Sequence, residues 1–129
     1  MKTTYIYNRN ELLLDLCREA VTADDFVITL TKNLINSGAD VNHFRESCSR
    51  DALDMLLDGI LAPIHNAKSN PTQILEVVNE LLDKGAKVRE TQIYRFKQAL
   101  GNNQKDEFKP IYDALKKVYD ARNKACYGI

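Results

Sequence analysis

The sequence predicts an all-α protein, a short solenoid of about three stacked helical hairpins. Two observations carry that prediction. Apolar residues recur at helical spacing over most of the chain, and alternation of period two is convincing only from Thr3 to Tyr7. The phrase Leu-x-x-x-Gly-Ala-x-Val also occurs twice, from Leu34 to Val41 and from Leu81 to Val88, each time behind a helical pattern. A phrase repeated at the ends of two helices marks a structural repeat, whose units bury their faces against their neighbours.

Six helices are expected, paired as hairpins over 11–41, 50–88 and 91–124 within a single domain spanning 1–129. The first two, Glu11 to Val21 and Phe26 to Ile35, are apolar over a wide arc, as inner helices of a stack would be. Asn10 before Glu11, and Thr22 followed by Asp25, supply start signals. The third helix carries Leu53, Leu56, Leu57, Ile60, Leu61 and Ile64 on one face, and the fourth Ile74, Val77, Val78, Leu81 and Leu82. Asn70-Pro71-Thr72-Gln73 sets a cap, a first-turn proline and a capping-box glutamine before that fourth helix. Ile93, Phe96 and Leu100 define a fifth helix, stopped by Gly101-Asn102-Asn103. The sixth holds Phe108, Ile111, Tyr112, Leu115, Val118 and Tyr119, and it must begin near Asp106 if Pro110 is to fall in its first turn.

Aligning Gly38 with Gly85 also aligns Leu34 with Leu81, Leu30 with Val77 and Val27 with Ile74. The first helices share a phrase as well, Leu14-Asp15-Leu16 and Leu53-Asp54-Met55. Gly38 and Gly85 stand where a helix ends in a left-handed residue. Ala39 and Ala86 keep the turn narrow, and Val41 and Val88 are placed to fill the gap between neighbouring units.

On these residues the chain resembles the ankyrin repeats. "LINSGADVN" and "LLDKGAKV" are similar to the end of the second ankyrin helix and its turn, while Leu14-Asp15-Leu16-Cys17 and Leu53-Asp54-Met55-Leu56 stand where that family has Leu-His-x-Ala. The resemblance covers Glu11 to Glu90, with Thr91 to Lys124 as a capping hairpin. The Thr-Pro-Leu-His motif is absent, Asp15 and Asp54 occupying its His position, and "GILAPIHNAKSNP" makes the second unit longer than a repeat of about 33 residues. What the resemblance implies is a protein-interaction module that occludes or recruits a partner. Small proteins of this kind include bacterial effectors delivered into a host cytosol and inhibitors of effector enzymes, for example of a ubiquitin-modifying enzyme.

Composition bounds the alternatives. The 129 residues are 44% hydrophobic and 28% charged, with no apolar run near the roughly 20 residues a membrane span requires. The N-terminal "MKTTYIYNRN" lacks the apolar stretch of a signal peptide, and Cys17, Cys48 and Cys126 are odd in number and widely spaced, so a cytoplasmic location with free thiols is expected. Net charge is zero, yet residues 84–129 hold 11 cations and 5 acids, a balance of +6, which leaves −6 for residues 1–83.

Chemistry finds little support. A thiol enzyme would place Cys48 with a base such as His43 or His65, and neither stands in a recognisable triad context. Cys17 reads as a core residue. Two histidines and three scattered cysteines give no metal-ligand spacing. Asp51, Asp54 and Asp58 share a helix face and read as a solvated acidic surface opposite Leu53, Leu56, Leu57 and Ile60. There is no glycine-rich phosphate loop, and no cofactor is expected. RNA binding through Lys116, Lys117 and Lys124 with Tyr112 and Tyr119 is opposed by the acidic first part of the chain, and these tyrosines lie at core spacing.

Binding of another protein is what remains. The expected contact residues lie on the turn tips and just beyond: His43, Phe44 and Arg45, then Arg89, Tyr94, Arg95 and Lys97. Aromatic and arginine side chains anchor interfaces, and the basic part favours an acidic partner surface. Three units are near the minimum for a stable stack, so a homodimer is the second reading.

Overall fold

The computed structural model describes residues 8–20, 24–46, 49–61, 71–101 and 106–127. The Thr3–Tyr7 alternation, His65, Asn70, Cys48 and the Asn102-Asn103 break lie outside the described residues, as does Thr22.

Among the described residues six helices form: α1 (Arg9–Glu19), α2 (Asp25–Asn36), α3 (Ala52–Leu61), α4 (Pro71–Asp83), α5 (Glu90–Gly101) and α6 (Lys109–Tyr127). Between α2 and α3, the two-residue strands β1 (Phe44–Arg45) and β2 (Arg50–Asp51) pair antiparallel, with Phe44 opposite Asp51. Ser49 in their connection has φ of 54°. A single 3₁₀ turn, Asp106–Phe108, leads into α6, so Pro110 falls in the first turn as its missing N–H requires.

Local chemistry explains the boundaries. Asn8, rather than Asn10, caps α1, its side chain accepting from the Glu11 N–H at 2.9 Å. Asn10 is instead turned to a distant task, accepting from the Asp40 N–H at 2.7 Å. Asp24 caps α2 by accepting from the Val27 N–H at 3.2 Å. Pro71 opens α4 at the position where a helix has no use for the N–H that proline lacks.

Both glycine turns have the left-handed geometry that the repeated phrase predicts. Gly38 has φ of 105° and Gly85 of 93°. The Ala39 N–H reaches back to the Leu34 carbonyl at 3.3 Å, and the Ala86 N–H to the Leu81 carbonyl at 3.0 Å, the closing bond of a Schellman motif. Carbonyls at each helix end also receive an arginine. Arg9 donates to Ser37 O at 2.7 Å, and Arg122 to Ala86 O at 2.6 Å and Leu82 O at 3.3 Å. Asn42 then ties one turn to the next, donating to Gly85 O at 3.1 Å and accepting from the Lys87 N–H at 2.9 Å.

The helices pack in a regular order. α1 lies on α3 and α3 on α5, α2 lies on α4 and α4 on α6, while α1–α2 and α5–α6 touch as hairpins. α3 is the centre of this arrangement, buried at every position from Ala52 to Leu57 and again at Gly59 and Ile60. Leu13, Leu14, Cys17, Ile28, Ile35, Ile74, Val77, Leu81, Phe96, Ile111 and Leu115 complete the core around it. Each such large apolar side chain contributes about 1.5–3 kcal/mol by leaving water. Ala39, Val41 and Ala86 are buried beneath the turns and Val88 is partly so.

The match between Leu14-Asp15 and Leu53-Asp54 does not carry into three dimensions. Asp54 lies in the first turn of α3, whereas Asp15 lies one turn further from its own cap. The unit counted from its cap therefore begins earlier in the first hairpin than the shared dipeptide suggests.

Candidate functional site

The seven residues expected at an interface fall into three places. His43, Phe44 and Arg45 form the tip after the first glycine turn. His43 Nε2 is 2.6 Å from Glu11 Oε2, while Arg45 donates to Glu11 Oε1 at 2.9 Å and to Asp15 Oδ1 at 3.0 Å. The His43 hydrogen bond, with Arg45 beside it, holds the Glu11 carboxyl below its usual range. Phe44 is 53% exposed between these anchored neighbours.

Arg89 stands in a second cluster, at the junction of α3 and α5. Asp51 and Asp54 cap α3 reciprocally: Asp51 Oδ1 accepts from the Asp54 N–H at 2.9 Å, and Asp54 Oδ2 from the Asp51 N–H at 3.4 Å. Arg89 donates to Asp51 Oδ2 at 3.0 Å and to Asp54 Oδ2 at 3.1 Å. Gln92 donates to Asp54 Oδ1 at 2.6 Å and accepts from the Arg89 N–H at 2.8 Å. Among the described residues no buried side-chain nitrogen or oxygen lacks a partner.

This corrects the reading of Asp51, Asp54 and Asp58 as a solvated acidic face. Asp51 is 2% exposed and Asp54 8%. Asp58, further along, holds Arg50 at 3.3 Å and Arg95 at 3.2 Å. The polar side of α3 meets α5 because both flanks of this helix are packed, and the acids meet cations brought from elsewhere in the chain. Burial pushes the Asp51 carboxyl above its usual range, and the neighbouring Asp54 charge adds to that, against the pull of Arg89.

Tyr94, Arg95 and Lys97 come together in the third place, a groove of about 530 Å³ between α5 and α6. Ile93 and Tyr112 line it, Tyr94 stands 62% exposed beside it, and Arg95, Lys97, Lys116 and Glu90 surround it. Tyr112 is set by its ring contact with the buried Phe96, centroids 6.1 Å apart and planes tilted by 50°. Gln98 donates to the Tyr94 hydroxyl at 2.9 Å. Lys116 pairs with Asp120 at 2.7 Å and Arg95 with Asp58, whereas Lys97 has no acidic partner among the described residues. Sequence reasoning placed Tyr112 in the core and missed its exposed edge. It also missed Phe26, which is 74% exposed at the start of α2.

Of the three cysteines, Cys17 is the one whose side chain is described. Cys17 is fully buried, and burial with the nearby Asp51 charge pushes its thiol up to about 12, far from a reactive thiolate. Among the described residues no group of three His, Cys, Asp or Glu side chains could hold a metal ion, and no helix is long and apolar enough to cross a membrane. Comparison of the chain with known protein families, characterised proteins and solved structures returns no match.

Proposed function

We propose that this protein is a non-catalytic interaction module, an ankyrin-like stack of three helical hairpins that engages another protein through its α5–α6 face. The observation that carries the reading is the groove: an apolar floor of Ile93 and Tyr112, with an exposed aromatic and an unpaired cation beside it. Aromatic side chains supply contact area at low entropic cost, which suits them as anchors. The order of packing, α1–α3–α5 and α2–α4–α6, supports a stacked arrangement, as do the two matching glycine turns bridged by Asn42. Occlusion or recruitment of the partner is the effect such a module produces, and the resemblance drawn from the sequence suggests the setting of an effector or of an effector's inhibitor.

The other expected contacts enter this proposal differently. His43, Arg45 and Arg89 already hold acids of their own chain, so their first role is to fix the segments that follow the glycine turns onto α1 and the start of α3. A photo-crosslinking side chain placed at Tyr94, and separately at the exposed Asn33 on α2, tests the assignment in the cell of origin. A discrete protein adduct from position 94 and none from position 33 is the expected result. Equal labelling from both positions, or none from 94, contradicts it.

A further inference from the structure

The charges at two internal junctions point to what the α5–α6 groove takes. Where α3 meets α5, acids at the start and on the face of α3 (Asp51, Asp54, Asp58) meet cations at the start and on the face of α5 (Arg89, Arg95). Where α2 meets α4, Lys32 meets Glu76 at 2.7 Å. Apolar packing with acid–cation pairing thus holds α4 on α2 and α5 on α3. α5 and α6 offer an apolar floor again with no further helix of the described residues against it; beside it Arg95 and Lys116 are held by Asp58 and Asp120, while Lys97 has no ion pair among the described residues.

We infer that the groove binds an amphipathic helix of a partner protein, one that presents apolar side chains at i, i+3 or i+4, and i+7, flanked by Asp and Glu. This inference rests on the interaction-module reading and names the chemistry of its partner. A volume of about 530 Å³ accepts a few large apolar side chains of one helical face. Lys97, without an acidic partner among the described residues, is the residue that selects an acidic flank. Tyr94 closes over the apolar contact, with its hydroxyl fixed by Gln98.

The probe is a synthetic capped helix of about 18 residues with Leu at that spacing and Glu between, and its twin carries Lys for every Glu. Binding is followed by polarisation of a labelled peptide and by amide NMR shifts of the intact protein. The expected result is tighter binding of the Glu helix by at least about tenfold, with shifts at Tyr94, Lys97 and Tyr112. Lys97→Glu should reverse that preference, and Tyr94→Ala should weaken both peptides. Three results overturn the inference. One is equal binding of the two peptides through Tyr94, which leaves the face as an interface but removes its preference for acid. Another is the absence of shifts in the groove. The third is a dimer in sedimentation that Tyr94→Ala abolishes, which makes a second copy the occupant. Crosslinking from position 94 stands or falls independently of all three.

Discussion

Two ionic junctions, at the His43–Arg45 tip and between α3 and α5, use the same chemistry at different depths. At the first, Glu11 and Asp15 receive His43 and Arg45, with about a quarter to a third of each side chain exposed. At the second, Asp51 and Asp54 are almost wholly buried and receive an Arg89 whose side chain remains 46% exposed. In the first case water can replace a lost partner. In the second it cannot, because two carboxylates lie under the helices they cap. The difference teaches that the charge asymmetry of the sequence is partly consumed inside the fold. Acids of the first part and cations of the last part join α3 to α5, and only what is left over is available to the proposed partner.

The largest effect should come from breaking the buried junction. Arg89→Ala leaves Asp51 and Asp54 facing each other without a cation and should cost about 2–3 kcal/mol, toward the low end for a buried pair because the guanidinium is half exposed. Urea unfolding measures it, and Arg89→Lys should restore only part, since one ammonium cannot reproduce two guanidinium bonds. A loss below about 0.5 kcal/mol would show that the two acids are content without Arg89.

Next come the turns. Gly85→Ala should cost about 1–2 kcal/mol through its left-handed backbone alone, because an added Cβ would meet nothing within 4 Å. Gly38→Ala should cost the same, its Cβ lying 3.8 Å from the Arg9 guanidinium, an ordinary contact. Unequal losses in thermal melts would mean that the two turns are not equivalent after all. Arg45→Ala, at the exposed junction, should cost less than about 1 kcal/mol, and added salt should shrink that difference.

The smallest effect, and the sharpest contrast, is in pH. Glu11 has a folded carboxyl pKa below its unfolded value, so its contribution is present above the ordinary glutamate range and is lost as pH falls through the folded value. Asp51 is shifted the other way, so its contribution is complete below the ordinary aspartate range and is lost as pH rises through the folded value. Mild acidification should therefore loosen the His43–Arg45 tip before the α3–α5 junction. Hydrogen exchange across that range should show protection falling first at the tip, and simultaneous loss at both would contradict the assigned directions.

What the sequence revealed and what it hid divide along sequence separation. The glycine turns were legible because a left-handed residue after a helix is a local demand, satisfied within a few residues of Gly38 or Gly85. The periodic helices were legible for the same reason. Caps were harder, since "YNRNE" offers two asparagines and only the contact with Asp40 decides that Asn10 serves elsewhere. Asp51, Asp54 and Asp58 were misread because a polar stripe opposite leucines normally faces water. Nothing near them in sequence announces Arg89 or Arg95, which arrive from the other side of α4. Tyr94, Arg95 and Lys97 were named from the sequence as candidate contacts, but their partners in the groove, Tyr112 and Lys116, come from α6 and could be joined to them only by the fold.

The central claim is a division of labour, with Arg89 holding the fold and Tyr94 and Lys97 left free of it. The urea unfolding curve of a Tyr94→Ala, Lys97→Glu double variant tests that most directly. Its midpoint and slope should superimpose on those of the unaltered protein. A midpoint lowered as far as that of Arg89→Ala would show that the groove residues belong to the core's own support, and the division would fail.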